Sequence, residues 1–264
     1  MTAPTTGMGV LPQFMDIYQI SAEQVDFVRP VIIFGHNEDI DSGTLPETLI
    51  PWGGLYSFPA AAGTISIVSA SANDTSNGTG ARTLTIQGLD SNWDIQEVVY
   101  TLNGTTPVVT TETWMRVNKV HTTTVGSGGV NAGTITFTHS NTTALCAQIN
   151  AGEGCSHACV YSVPNNYSLF LSKLESHMTK LAGDQAGEVA IYRRNGANGP
   201  LWQCFKIGVH TKSVSVIDLN QSSLYLMREK SDVYINATYV TTDSVTVTAL
   251  IRGVIVRNDA LSNS

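Results

Sequence analysis

The chain of 264 residues is 42% hydrophobic, enough for a sizeable core, and this excludes wholesale disorder. Charged residues make up 13%, about half the ordinary share; Thr, Ser, Asn and Gly fill the gap, which excludes a helical bundle and favours β-structure. The net charge of −7 is uneven, with twelve acids against Arg29, Arg82 and Arg116 in residues 1–118 and nine acids against eleven bases thereafter, so no nucleic-acid partner is expected.

Residues 1–60 hold six of the nine prolines together with Trp52, Tyr56 and Phe58. Ser21 followed by Gln24 is a capping-box pattern for a turn or two of helix, and VIIF (31–34) is a short apolar run of strand type. So many bulky side chains do not suit a free linker. The zone reads as an extended Pro/Gly-rich arm making inter-subunit contacts, anchored by Trp52, Tyr56 and Phe58.

Residues 61–142 alternate at period two in TISIV (64–68), RTLTI (82–86), VVYTL (98–102), TWMRV (113–117) and TITFT (134–138). Between them lie NDTSNGTG, GLDSN, NGTTP and GSGGVNAG, which are turn chemistry. This predicts a first β-sandwich. Residues 143–264 predict a second, jelly-roll-like in size, from YSLFLSKL (167–174), GEVAIYRR (187–194), SVSVIDL (213–219), DVYINATY (232–239) and SVTVTALIRGVIV (244–256). NGANGP (195–200) and TTDS (241–244) read as hairpin turns, and Gly253 as a bulge or bend.

No stretch reaches the roughly 18 apolar residues of a membrane span, and MTAPTTGMGVLPQF lacks a leader's basic and apolar regions. The expectation is a soluble protein with no membrane partner. Four cysteines are too few for a disulfide scaffold. Cys155-Ser156-His157-Ala158-Cys159 does place two thiols and an imidazole within five residues, and on a strand residues 155, 157 and 159 share one face. A disulfide or a metal site is then open, beside the simpler reading of small buried side chains. Asp39-Ile40-Asp41-Ser42-Gly43 reads as a solvated turn, because an aspartic-protease site needs a second such loop. There is no G-x-S-x-G, HExxH, P-loop or dinucleotide motif, so neither a catalytic residue nor a cofactor is expected.

The segments GTGARTLTIQGLD (78–90), EVVYTLNGTTPV (97–108), W-x-R-V (114–117) and NAGTITF (131–137) carry a resemblance. With them go EDIDSG (38–43), PWGGLYSFP (51–59), YSVPNNYSLFLSKLESH (161–177) and EKSDVYINATY (229–239). Together they resemble a family of tailed-bacteriophage, podovirus-like virion proteins across about residues 36–257. The resemblance implies a non-enzymatic particle component found in the virion and assembled in host cytoplasm. Its role would be capsid decoration or cement, as a homo-oligomer, typically a trimer, on a major capsid protein or tail proteins. The alternative is a head or tail appendage that binds a host receptor or glycan, for which Trp93, Trp114 and Trp202 are the candidate aromatics. CSHAC departs from the family's pattern.

Overall fold

The structure, a computed structural model, describes residues 27–179, 183–218 and 225–261. It is all-β. The strands are β1 (Val28–Ile40), β2 (Glu47–Thr48), β3 (Ile65–Ser69), β4 (Ala81–Leu89), β5 (Ile95–Thr101), β6 (Val108–Val109), β7 (Arg116–Val125), β8 (Ile135–His139) and β9 (Leu145–Ile149). There follow β10 (Val160–Ser162), β11 (Tyr167–Thr179), β12 (Ala186–Asn195), β13 (Leu201–His210), β14 (Ser215–Asp218), β15 (Tyr225–Met227), β16 (Ser231–Val240) and β17 (Val245–Arg257), then one helical turn, α1 (Asn258–Leu261). Among the described residues these strands form four sheets.

Two of the sheets, β6-β3-β8-β9 and β5-β4-β7, close over one core. Ile65, Ile67, Leu84, Ile86, Trp114 and Phe137 fill it, supplied by the period-two alternation of their strands. This sandwich runs on past residue 142, because β9 pairs with β8 (Phe137↔Ala147). The two Gly-rich turn segments meet at the buried carboxylate of Asp74. It accepts from Ser69 Oγ at 2.6 Å, Ala81 N and Ala132 N at 2.7 Å, and Gly133 N at 2.9 Å. Four donors satisfy a charge that burial alone would penalise heavily.

The other two sheets face each other over the larger core. One runs β1-β17-β11-β14 with β15 beside β11; the other runs β10-β16-β12-β13 with β2 beside β16. β3 to β9 are thus inserted between β2 and β10 of this second sandwich. The extended arm expected over 1–60 is, from residue 28, part of the fold: β1 pairs along its length with β17, and Val31, Ile33, Ile40 and Leu49 enter the core. The physical reason is the alternation of VIIF, which turns Val31 and Ile33 into the core; a register shift between Asn37 and Ile40 follows, and Pro30 is tolerated because β1 is an edge strand. The helical turn expected at 21–24 lies outside the described residues. At Gly253 the register slips on the partner strand, between Leu171 and Lys173, and a Cβ there would stand 2.4 Å from Phe170 O. β13 answers to no expected strand; it pairs only with β12 in its sheet, and only Val209 of its ten residues is fully buried.

The sandwiches meet at β16, which is buried on both faces. Its inward face carries Val233, Ile235 and Ala237, and its outward face carries Asp232 and Tyr234. Arg116, from β7, reaches across: Nε donates to Asp232 Oδ1 at 2.8 Å and Nη2 to Oδ2 at 2.9 Å, with both side chains almost wholly buried. Nη1 donates to Pro59 O and Met115 O, each at 2.7 Å, and Ser162 Oγ donates to Asp232 at 2.6 Å. The guanidinium also lies 4.6 Å from the Trp93 ring and 5.4 Å from that of Phe58. Trp93 holds φ at 70°, an unusual conformation for a bulky residue, and this turn puts its ring over the cation.

Two outcomes follow. A chain starting at residue 61 loses β1 and β2, bares the edge of β17 and opens the larger core, so it is expected to be insoluble or unfolded by circular dichroism. Arg116→Met strands the buried Asp232 carboxylate and is expected to cost about 3–5 kcal/mol in urea unfolding. A cost below about 1 kcal/mol would mean that the pair behaves as an exposed one.

Candidate functional site

The connection from β9 to β10 is held to both sandwiches. On the N-terminal side Thr122 N donates to Gly154 O at 2.7 Å, Ser156 N to Val120 O at 2.9 Å, and Gly154 N to Asn131 Oδ1 at 2.9 Å. On the C-terminal side His36 N, on the free edge of β1, donates to His157 O at 3.4 Å, and Cys159 N donates to Leu49 O at 2.9 Å. Gly35 permits this approach, since a Cβ would fall 2.1 Å from Cys159 N.

This path gathers four side chains with ligand atoms. His157 sits between Glu153, whose Oε2 is 3.3 Å from its Nδ1, and Cys155, whose Sγ is 3.2 Å from its Nε2. His36 packs against it with ring centroids 5.5 Å apart, and Phe34 meets it edge-on at 5.1 Å. Ligand atoms of His36, Glu153 and His157 all lie within 4.8 Å of one another. His36 Nε2, His157 Nδ1 and Glu153 Oε2 are buried without a hydrogen-bond partner. Nδ1 and Oε2 oppose each other only as an ion-pair contact, as do His36 Nε2 and Glu38 Oε1 at 3.5 Å, and a buried polar atom without a hydrogen bond costs about 1–3 kcal/mol, so the cluster is a feature to be explained. Burial holds His157 below the ordinary imidazole range despite the Glu153 carboxylate, and burial raises the Cys155 thiol. The imidazole is therefore neutral and the thiol protonated at pH 7.

Of the residues singled out in the sequence, Cys155 and His157 come together and Cys159 does not. Cys159 is fully buried in the larger core, where burial pushes its thiol well above the usual range, and all four cysteines are free. The shared face expected for 155, 157 and 159 fails because residues 156–159 are not a strand. The missing partners are Glu153, four residues before His157, and His36, which no local spacing could reveal.

The aromatics expected as inter-subunit anchors sit at the junction. Tyr56 is buried, its hydroxyl donating to Cys146 O at 3.2 Å, and it packs with Trp52, Phe58 and Tyr234. Of the three candidate glycan aromatics, Trp93 and Trp114 are buried; only Trp202 is exposed, at 44%, with the Arg193 guanidinium 5.2 Å from its ring. The turn at Asp41 forms a reciprocal clasp. Ser244 N donates to Asp41 Oδ1 at 2.8 Å, while Ser42 N and Oγ donate to Asp243 Oδ1 at 2.8 and 2.6 Å.

No protein-family model matches the chain, and no curated protein sequence matches it. Among solved structures it is similar to a chain of the T13 IBDV viral particle at 12% identity and a TM-score of 0.27, covering 89% of this chain and 69% of that one. It is also similar to infectious bursal disease virus VP2 from a subviral particle at 10% identity and a TM-score of 0.24, covering 88% of this chain and 73% of that one. Both are chains of viral particles.

Proposed function

We propose that this chain is a non-enzymatic structural protein of a tailed-bacteriophage virion, a capsid decoration or cement subunit acting as a homotrimer, with a jelly-roll-like C-terminal sandwich. The resemblance across residues 36–257 supports the particle assignment. The observation that carries the docking role is the outward face of the β1-β17-β11-β14 sheet. Phe34, Leu250, Glu175 and Val216 stand in register across its four strands, with Ile32 and Val214 beside them. Ile32 is 70% exposed, Val214 61%, Val216 47% and Phe34 40%. Such a row of apolar side chains with a few charges is the make-up of a protein interface, and the low charge of the chain suits stacking of β surfaces.

The double variant I32D/V216D is expected to lower binding to heads stripped of this protein at least tenfold, with an unchanged thermal midpoint. Binding equal to wild type would remove this face from the role. Immunogold microscopy of virions is expected to label the whole head. The second reading, an appendage subunit that binds host receptor or glycan, is favoured by Trp202 and Arg193, and label confined to the tail would select it.

A further inference from the structure

The converging atoms of His36, Glu153 and His157 carry an inference independent of the virion reading. We propose that they form a binding site for a divalent transition-metal ion of the zinc type, and that the ion fastens the β9–β10 connection to β1. His36 is 7% exposed, its Nε2 makes no hydrogen bond, and a ligand atom of its ring lies within 4.8 Å of ligand atoms of both Glu153 and His157. Two imidazoles and a carboxylate are a three-ligand set that zinc accepts, whereas magnesium and calcium prefer oxygen alone. Ligand atoms about 2.0–2.2 Å from one ion stand roughly 3.3 Å apart; Glu153 Oε2 and His157 Nδ1 already have that separation, and the remaining distances, at most 4.8 Å, shorten on binding. Glu38 Oε1 lies 3.5 Å from His36 Nε2, and its side chain is otherwise exposed, which puts it within reach of the fourth position.

The surroundings fit a bound ion. Glu153 and Glu38 supply two negative charges against the one ammonium that acts on His157, that of Lys119. Coordination through His157 Nδ1 leaves its Nε2–H to donate to Cys155 Sγ, already 3.2 Å away, which fixes the tautomer and ring orientation. Cys155 therefore supports the imidazole and is not a ligand. Because the connection is bonded to β7 and β1 belongs to the other sandwich, the ion would cross-link the two. An ion that binds only the folded chain stabilises it by mass action.

The test uses the full chain, treated with chelator, then titrated with Zn²⁺ alone by calorimetry and with Co²⁺ alone by visible absorption. The expected result is one ion per chain, a raised thermal midpoint, and Co²⁺ d–d bands without a near-ultraviolet thiolate band. H157Q and E153Q should each weaken Zn²⁺ binding at least tenfold, while H210Q, on β13, should bind as wild type. If H157Q does not fold, E153Q carries the test, since it keeps the side chain's size. Absence of Zn²⁺ binding by the wild-type chain overturns the proposal, as does binding unchanged in E153Q. A strong thiolate band would replace this ligand set with one built on Cys155.

Discussion

The buried pair of Arg116 and Asp232 is the constraint around which both halves of the molecule are arranged. Removing two charges from water costs several kcal/mol per ion, and the mutual attraction repays it only when geometry and supporting hydrogen bonds are good. Here the bidentate contact, the carbonyls of Pro59 and Met115 and the hydroxyl of Ser162 leave neither charge wanting. Trp93 and Phe58 cover the guanidinium, so the pair is sealed by rings whose positions it also dictates. A pair this demanding of geometry permits few relative positions of the two sandwiches. Their contact is thereby a fixed orientation and not a hinge.

Because the first sandwich is inserted into the second, the chain passes between them twice. Both passages, 49–64 and 150–159, are irregular, and each is tied down by its own chemistry. The first buries the aromatics around Tyr56 and Tyr234. The second brings Glu153, Cys155 and His157 to the edge of β1. The ion pair lies on neither passage, so the junction has three separate fastenings of different physical kind: charge, aromatic packing and ligand-bearing side chains. The outward face of the β1-β17-β11-β14 sheet borders the last of these at Phe34, which meets His157 edge-on.

What could be read from the sequence follows from which signals are local. Alternation disclosed most of the longer strands, because TISIV, RTLTI and TITFT each bury one face of a sandwich. It failed for LWQCFKIGVH, since an edge strand with one fully buried position has no buried face to impose a pattern. Tyr56 and Phe58 read as inter-subunit anchors, whereas they pack within the chain, and their partner Tyr234 lies too far along it for any spacing to show. The pairing of Cys155 with His157 was legible for the same reason that Cys159 misled: nearness in sequence implies contact only where the backbone conformation is known. His36 became meaningful only after β1 had been placed beside residues 157–159.

The pairing of β1 with β17 sets an order on biosynthesis. Val28 faces Val256, and Arg257 N donates to Phe27 O at 2.9 Å, so the larger sandwich is closed by its last strand. All strand partners of β3 to β9 lie within residues 65–149, and those pairings can complete while the ribosome is still translating. β1 must wait for more than two hundred residues, with Val31, Ile33 and an unpaired edge uncovered in the meantime. The insertion thus keeps the outer sandwich open until β17 has been made, and the nascent N-terminal strand stays uncovered for that interval.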